Sequence, residues 1–583
     1  MEDSGSASPP DNGRIVHFLK RQAALMELAG LNAFRVRAFD NAARMLEESE
    51  VDIAEMSGAG TLTGIDGIGK GVAAFIEEYI DRGTTGAYEA LTEEVPETLL
   101  DLLRIPGLGQ KKVKALYETL GISTLGELEA ACRNGRLREL PGFGERSQEN
   151  LLRAIEGLGR YRGRYRYDQA MADARGLLQA LQAHPRTIRS SLAGSLRRRR
   201  EVVKDIDIVL STDAPGEVGA LFAGRPGVEV IARGERKVSV RLESGLQADL
   251  RLVDDARFPS LLHHFTGSRD HNVAMRSRAL ARGMHLNEYG LFHGREGDGD
   301  PVPCEDEADL FRALGLGYVP PELREGLGEV EAAAAGELPR LLKAGDVRGL
   351  LHVHTRASDG ADTLEEMVDG ARRRGHEYVA ICDHSKSAGY VYGMTAADVE
   401  VQHREIDALQ AERPDICILK GIESEVREDG SLDYDDDFLE RFDLVVAAVH
   451  DPMGMDEAEL TRRVVRAVEQ PATSVLAHPS GRILLERDGF PFDMEEVLAA
   501  AAAHGVALEL NAHPARLDLD WRWLRRARQL GAPIAVNTDA HRIADLDNLD
   551  LGIGIARKGW LTAADVINAR SVDDLRSWAR RRD

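Results

Sequence analysis

The chain has 583 residues, 43% of them hydrophobic and 30% charged, which is enough for roughly three to five globular domains. No apolar run approaches the roughly 18 residues of a membrane span, and four scattered cysteines without a CxxC pair exclude a disulfide framework or zinc ribbon and favour a cytoplasmic protein. The net charge of −24 taken alone argues against a nucleic-acid partner. Screening limits the attraction between phosphates and protein charges to roughly 8–10 Å, however, so the local basic segments matter more than the net charge.

The first 160 residues are predicted to be helical. Residues 1–13 are acidic and rich in serine and proline, so we expect a disordered tail there. Short helical patterns separated by glycine-rich turns follow. One motif recurs three times, as GIDGIGKG at 64–71, IPGLGQKK at 105–112 and LPGFGERS at 140–147.

In each copy of this motif an apolar residue stands between two glycines, and a helical pattern follows. Such a turn allows backbone N–H groups and a helix N-terminus to face a phosphate. The motif resembles the helix-hairpin-helix, which holds the DNA backbone without reading its sequence. A plain turn between helices explains any single copy, but three copies with the same phasing favour DNA binding. The expected DNA contacts are Gly67, Gly69, Gly107, Gly109, Lys111, Lys112, Gly142 and Gly144.

A basic, aromatic segment, RYRGRYRY at 160–167, leads into the next region. It fits either a strand-gripping, base-stacking segment or a solvated connector. Residues 187–253 then change to short β-type runs bounded by glycine, aspartate and serine, which predicts a small sheet.

Three aspartates on this predicted sheet suggest a catalytic metal site. Asp205 and Asp207 are spaced i, i+2 in a predicted strand, so both carboxylates face one side, and Asp249 lies in a second strand. Three such carboxylates can hold two Mg²⁺ or Mn²⁺ ions, which would activate an attacking 3′-hydroxyl and stabilise a leaving pyrophosphate. The backbone and hydroxyl of Ser195, with Arg198, are suited to a triphosphate. Surface aspartates at strand ends are the alternative interpretation.

The segment AGSLRRRREVVKDIDIVL resembles the palm of family X DNA polymerases, the group of eukaryotic polymerase beta. Downstream, HHFTGSRDHNVAMRSRALARGMHLNEYGLF resembles the thumb of that family, and the resemblance covers most of residues 14–320. It implies that Asp205, Asp207 and Asp249 bind the catalytic metal ions. It also implies that the incoming dNTP is bound by Gly194, Ser195, Arg198, His264, Phe265, Gly267 and Asn272.

The sequence departs from the family pattern at two positions. In related enzymes a lysine after the first hairpin is the Schiff-base nucleophile of a 5′-deoxyribose-phosphate lyase, but Phe75 stands at that position here. The resemblance therefore predicts weak lyase activity at most, because the nearest amine, Lys70, lies just outside the predicted helix. His264 stands where the animal enzymes have tyrosine.

From residue 348 onward, seven apolar runs alternate with amphipathic helical patterns, which predicts parallel strands covered by helices in a barrel. Almost every run ends in a residue that can bind metal, and active sites of such barrels gather where strands end. Any one of these histidines alone could be an ordinary core residue. The predicted ligands are His352, His354, Asp359, His384, Glu423, His450, His478, Asp539 and His541.

Nine ligands are too many for one ion, so we expect two or three Zn²⁺, Mn²⁺ or Fe²⁺ ions that activate a water for attack on a phosphate ester. The pieces HVH, SDG, CDH, AHP and TDAH resemble the polymerase-and-histidinol-phosphatase (PHP) family over about 340–583, and all nine family ligand positions are filled. This implies an active phosphoesterase. Asp383 should face away from the cluster, whereas Glu425 and His513 are candidates to contact its ligands or substrate.

The fold class is therefore a multidomain chain with an all-α helix-hairpin-helix region, an α+β nucleotidyltransferase palm with thumb, and a (β/α)7-type PHP barrel. This order of domains resembles bacterial and archaeal family X polymerases. The expected parts are a tail (1–13), an N-terminal helical domain (14–90), fingers (91–160), palm (161–255), thumb (256–325), linker (326–347) and PHP barrel (348–583).

By resemblance, the chain is a monomeric repair polymerase that fills gaps in primer-template DNA from dNTPs. Its barrel would supply 3′→5′ exonuclease activity, with 3′-phosphatase and abasic-site endonuclease activity as extensions. Two alternatives stay open. In the first alternative, the barrel is a fused small-molecule phosphatase. In the second, the chain is a DNA-end scaffold with weak polymerase activity.

Overall fold

The computed structural model describes residues 12–47, 53–65, 67–103, 105, 108–140, 143–144, 148, 151–152, 155, 161, 163–297, 299–388 and 392–580. Gly107, Gly142 and most of the predicted tail lie outside the described residues, as do Arg160 and Arg162 of the basic segment. The chain divides into two compact units, residues 1–162 and 163–583. Among the described helices, none is both long and apolar enough to cross a membrane.

The first unit is helical throughout its described residues, as the sequence predicted. The first described helix begins at Asn12. Left-handed glycines end two of the helices, Gly83 at φ 72° and Gly121 at φ 66°. The helices span Asn12–Leu28, Ala33–Glu47, Ile53–Gly58, Lys70–Arg82, Gly86–Glu94, Leu99–Leu103, Gln110–Leu120 and Leu125–Arg133.

The second unit begins with the predicted small sheet. Its strands are β1 (Tyr165–Arg166), β2 (Thr187–Leu192), β3 (Val202–Val203), β4 (Asp205–Thr212), β5 (Val228–Arg233), β6 (Lys237–Leu242) and β7 (Gln247–Val253). Five of them form one sheet in the order β2-β4-β7-β6-β5, in which only β4 and β7 run parallel. Apolar residues of helices Tyr167–Gln182 and Pro215–Ala223 pack on the sheet, and the short helix Gly194–Arg197 follows β2.

The predicted thumb follows, with helices Phe258–Thr266, Arg269–Ala281, Glu307–Ala313 and Glu329–Ala335 around the hairpin β8 (Met284–Asn287) and β9 (Gly290–His293). Met275 and Phe311 lie in its apolar core. Arg324 is fully buried beside it and pairs with Glu307 at 2.7 Å.

The C-terminal part is a seven-stranded, all-parallel sheet with strands in chain order, as the alternating pattern predicted. A bridge between Val353 and Ala540 brings the first strand to the chain that follows the last, so the sheet is nearly closed. The strands are β10 (Gly349–Val353), β11 (Tyr378–Ile381), β12 (Cys417–Glu425), β13 (Leu444–Ala448), β14 (Val475–Leu476), β15 (Ala507–Asn511) and β16 (Ile534–Asn537).

Helices cover this barrel on the outside. The larger ones are Leu364–Arg373, Ala396–Glu412, Glu457–Val468, Met494–His504, Trp521–Leu530, Leu549–Lys558 and Val572–Arg580, with the short helix Asp436–Leu439 between β12 and β13. Their apolar faces pack on strands that are buried on both sides, so the strands read as continuous apolar runs. This leaves the carboxyl ends of the strands as the place for polar chemistry.

Candidate active sites

The palm sheet brings the three predicted aspartates together. β4 and β7 are paired so that Asp207 lies directly beside Asp249, and Asp205 is two residues earlier on the same side of β4. Lys237 on β6 contacts the Asp249 carboxylate at 2.8 Å. That hydrogen bond lowers the pKa of Asp249 although burial opposes it.

The crowding of negative charge indicates that this site is made for cations. Burial, followed by the negative charges of Asp205 and Asp249, raises the pKa of Asp207 to about 7. A side chain at Gly194 would place its Cβ 2.2 Å from the Asp207 carboxylate, so only glycine leaves room there. Gly194 also has φ +60°, a conformation that favours glycine. The residues present therefore fit divalent metal ions.

Arg198 reaches the turn that the sequence assigned to the dNTP. Its Nη1 donates to the backbone carbonyl of Thr266, and its Nε donates to Glu325 at 3.1 Å. A side chain at Gly267 would approach Arg198 Nη1 to 3.1 Å. Sequence reasoning placed Arg198 on a triphosphate and did not foresee the Glu325 contact.

The other residues expected at the nucleotide lie on the same turn or beside it. Asn272 donates its side-chain amide to the His264 carbonyl at 2.8 Å, which fixes that carbonyl. Arg251 stacks over the Phe265 ring at 3.7 Å. Ser195 is half-buried in the short helix that begins at Gly194.

All nine ligand-type residues of the barrel converge where the strands end. Glu423 is central, since its carboxylate lies 2.9 Å from His384 Nδ1, 3.1 Å from His478 Nε2 and 3.5 Å from His450 Nε2. Three sets have ligand atoms within 4.8 Å of one another: His354, Asp359, His384 and His541; His352, His354 and Asp539; and His384, Glu423 and His450.

The chemistry of this pocket fits metal ions. Among the described residues, neither ring nitrogen of His354 makes a hydrogen bond, although both are buried, and the same holds for Nε2 of His352. Burial, helped by the nearby His541, lowers the pKa of His354 to about 3, so this imidazole stays neutral and keeps a lone pair for a metal. Burial opposes protonation of His384, but Glu423 and Asp359 outweigh it and raise its pKa to about 10.

Two ligand positions also carry unusual backbone conformations. His478 has φ 26° and Asp539 has φ 50°, in the left-handed region that non-glycine residues rarely adopt. Such conformations gather at functional sites, where surrounding contacts hold them. The backbone at these strand ends is therefore shaped around the pocket.

Asp383, next to His384, faces elsewhere, because its carboxylate accepts hydrogen bonds from Thr355, Ser358 and Gln402. Glu425 instead accepts a hydrogen bond from the ring of His450.

In the first unit, the described residues of the hairpin motifs divide between the core and the surface. The apolar residues Ile68, Leu108 and Phe143 are buried, whereas Gly69, Gly109 and Gly144 are exposed. Gly67 is also exposed, at φ +86°. The residues before helices Lys70–Arg82 and Gln110–Leu120 are Gly69 and Gly109, so the free N–H groups of those first turns begin at the hairpins. Lys111 is exposed, and Lys112 lies over the Phe143 ring at 5.7 Å.

Comparison with known proteins agrees with these sites. The chain matches the DNA polymerase beta thumb over residues 261–325 and the PHP domain over residues 351–513. It also matches a helix-hairpin-helix domain over 10–85 and a SAM-like helix-hairpin-helix tandem over 99–156. It is 40% identical to the DNA polymerase/3′-5′ exonuclease PolX of Bacillus subtilis (strain 168) over 572 residues, which cover 98% of this chain and 99% of that protein.

The chain belongs to the PHP-containing family X DNA polymerases. It is thus a DNA polymerase with a phosphoesterase domain, and membership implies DNA binding and divalent metal ions. Its barrel is also similar to proteins of the phosphatase type. A probable phosphatase of Shewanella sp. (strain ANA-3) is 28% identical over 35% of this chain and 80% of that protein. A probable phosphatase of Syntrophotalea carbinolica is 31% identical over 33% of this chain and 79% of that protein.

One buried carboxylate beside this PHP site is not among the residues that the sequence predicts. Glu509 on β15 is fully buried, and its carboxylate accepts from His352 Nδ1 at 2.7 Å and from the His478 backbone N–H at 2.7 Å. Asn537 and Asn511 donate to it at 3.0 and 3.1 Å. The signal was present in the sequence, since Glu509 is a lone charge inside the apolar run VALELNAH.

Replacing Glu509 by glutamine should reduce exonuclease activity by roughly 10- to 100-fold, because partners that orient metal-binding histidines have effects of that size. The Glu509 carboxylate holds the proton on His352 Nδ1 and so leaves Nε2 as the ligand atom. The measurement is 3′→5′ degradation over a titration of Mn²⁺. Partial recovery at high Mn²⁺ is expected, and unchanged activity at low Mn²⁺ would contradict this role.

At the position that the resemblance assigns to the lyase nucleophile, the structure has a buried phenylalanine. Phe75 is buried, with its ring 5.4 Å from that of Phe18 and 4.9 Å from that of Phe39. Lys70 is exposed and is the first residue of its helix, not just outside it as the sequence suggested. An aromatic cluster therefore occupies the place of a nucleophilic amine.

We expect little borohydride-trapped adduct when the protein is mixed with an incised abasic site. Phenylalanine has no amine, and Phe75 is buried against the rings of Phe18 and Phe39. Efficient trapping that disappears in Lys70→Ala would show that a displaced lysine performs the reaction after all.

Proposed function

We propose that this chain fills short gaps in DNA during base excision and end repair, and that its barrel removes nucleotides from the 3′ end. The observation that carries the proposal is the presence of two separate metal-type sites in one compact unit. One consists of Asp205, Asp207 and Asp249 beside the thumb turn, and the other is the nine-ligand pocket.

At the palm site, the three carboxylates would hold two Mg²⁺ or Mn²⁺ ions. Ions bound there lower the pKa of the primer 3′-hydroxyl and neutralise the charge of the leaving pyrophosphate. Arg198 and Ser195 would bind the triphosphate, and the Phe265–Gly267 turn with Asn272 would meet the base and sugar. Gly194 contributes by leaving room for the Asp207 carboxylate.

At the barrel site, the histidines and carboxylates would hold two or three Zn²⁺, Mn²⁺ or Fe²⁺ ions. Ions bound there lower the pKa of an attacking water and neutralise charge on the phosphate. The neutral imidazole of His354 and the proton held on His352 by Glu509 prepare both rings as ligands.

A labelled primer on gapped DNA tests the proposal directly. With Mg²⁺ or Mn²⁺ and dNTPs, we expect extension that stops at the end of the gap. With metal alone, we expect shortening from the 3′ end. A protein that binds the DNA but does neither would be a scaffold, and the proposal would fall.

The similarity of the barrel to probable phosphatases favours one extension of its substrates. We propose that it also removes a phosphate from a blocked 3′ end and acts at abasic sites, since both are phosphate-ester cleavages in DNA. A 3′-phosphate primer and histidinol phosphate should be compared at equal concentration. Preference for histidinol phosphate would assign the barrel to small molecules instead.

DNA binding should depend strongly on salt despite the net charge of −24. With about four to six phosphate contacts at the hairpins, log K against log[salt] should slope at roughly −4 to −5, or −0.9 per phosphate. The measurement is a fluorescence titration of gapped DNA at several salt concentrations. Lys111→Ala with Lys112→Ala should make the slope shallower by up to about 2. A slope near zero in the wild type would contradict the proposal that the hairpins bind the DNA phosphates.

A further inference from the structure

A lysine of the barrel contacts the palm segment that carries the nucleotide-binding residues. Lys558 ends the helix Leu549–Lys558, and none of its side chain is exposed. Its ammonium donates to the backbone carbonyl of Arg198 at 3.0 Å, to that of Glu322 at 3.4 Å, and to the carboxylate of Glu325. The ring of Trp521 lies 4.8 Å from the same nitrogen. A buried ammonium needs such partners, and together they hold it in one geometry.

Lys558 and Arg198 share one carboxylate. Arg198 Nε donates to Glu325 at 3.1 Å, and Arg200 Nη1 contacts the other carboxylate oxygen at 3.4 Å. Glu325 thus faces three cations. Without Lys558, its charge would be balanced by the two arginines alone, and Glu325 would hold the Arg198 guanidinium more tightly.

Arg199, the residue after Arg198, also contacts the barrel helix Leu549–Lys558. Arg199 contacts Asp550 at 3.1 Å, and its guanidinium lies 5.3 Å from the centre of the Tyr167 ring. Gly554 lets the arginine side chain approach, because a Cβ there would lie 3.1 Å from Arg199 Cδ. Arg199 itself has φ 55°, so the backbone after Arg198 bends where it meets the barrel.

We propose that Lys558 is a positioning residue of the polymerase site, an inference that rests on the assignment of Arg198 to the triphosphate under the proposed function. Lys558 fixes the Arg198 carbonyl and takes up part of the Glu325 charge, which leaves the Arg198 guanidinium available to the phosphates of a dNTP. The barrel is therefore a structural part of the nucleotide site as well as a separate phosphoesterase.

The test compares Lys558→Met with Arg557→Met. Arg557 is the adjacent residue and bridges Glu322 at 2.8 Å and the Leu342 carbonyl at 3.2 Å, and neither of these hydrogen bonds involves Arg198. For Lys558→Met we expect a rise of roughly tenfold in the dNTP KM with a smaller change in kcat, as for the loss of one charged hydrogen bond. The dNTP Kd on a dideoxy-terminated primer should rise in parallel, whereas Arg557→Met should match the wild type.

A double-mutant cycle decides whether the effect passes through Arg198. In an Arg198→Met background, Lys558→Met should raise KM no further, because the residue that it positions is gone. Additive effects, or an unchanged KM in Lys558→Met alone, would overturn the inference. Should that variant fail to unfold cooperatively on heating, Lys558→Gln, which keeps a donor to the carbonyl without the charge, replaces it. A wild type that does not extend primers would instead overturn the proposed function.

Discussion

Primer extension should fall about a thousandfold or more when Asp207 is replaced by asparagine, while 3′→5′ degradation stays near the wild-type rate. The substitution keeps the shape of the side chain and removes its charge. A thousandfold loss corresponds to about 4 kcal/mol, the size expected when metal-based charge stabilisation of a transition state is lost. Asp207 is the residue of β4 that is paired with Asp249 on the neighbouring strand, so no other described residue of β4 occupies that position.

The matched control is Asp213→Asn, just after the same strand. Asp213 is largely exposed and pairs with Arg186 at 3.0 Å, so its loss should leave both activities within about twofold of the wild type, as for a surface ion pair. Single-turnover extension and exonuclease assays on one preparation give both readouts. Loss of both activities in Asp207→Asn would mean a shared site or a folding defect, which a thermal melt separates.

The barrel could be predicted closely from sequence because its pattern is local. Almost every apolar run ends in a ligand residue, and parallel strands in register bring their carboxyl ends to one edge. His352 near the end of the first run and Asp539 after the last are 187 positions apart in the sequence, yet His352 Nε2 lies 3.6 Å from an Asp539 carboxylate oxygen. Strand periodicity alone was sufficient for that convergence.

The palm was harder to predict. The i, i+2 spacing placed Asp205 and Asp207 on one face, but nothing in the spacing sets the register that brings Asp249 beside Asp207. The resemblance to family X polymerases supplied that partner.

Contacts that involve no strand-end residue could not be predicted. Lys558 and Arg198 are separated by 360 positions, and no sequence pattern around either residue indicates that the two are in contact. Glu325 is the last residue of the predicted thumb, and nothing in the sequence around it distinguishes it from other glutamates. Glu509 is a charge inside an apolar run, but it lies in the middle of its strand, so a pattern of ligands at strand ends does not single it out. Packing, not periodicity, decides such contacts.

Replacing Asp539 by asparagine should have the opposite effect to Asp207→Asn. Degradation from the 3′ end should fall about a thousandfold or more, on the order of 4 kcal/mol, while primer extension persists. Asp539 is buried, and one carboxylate oxygen lies 3.2 Å from His354 Nε2 and 3.6 Å from His352 Nε2. Asn511 donates to the other oxygen at 2.9 Å.

The neutral amide of Asp539→Asn removes the negative charge that faces His352 and His354, so the bound metal content should drop as well. Metal analysis of the purified protein should therefore show fewer ions per chain than in the wild type. The control is Asp547→Asn, at an exposed carboxylate that pairs with Arg374 at 2.7 Å on the same barrel. It should keep both activities and the full metal content.

Three outcomes of the Asp539→Asn experiment are informative. Loss of degradation with loss of metal supports the assignment of Asp539 as a ligand. Full metal content with loss of degradation would move Asp539 from metal binding to substrate contact. Retained degradation would place the nuclease elsewhere in the chain. Because the palm carboxylates lie on a different sheet, extension should survive in the first two cases, and its loss would show that the barrel also supports the palm beyond the contact of Lys558 with Arg198.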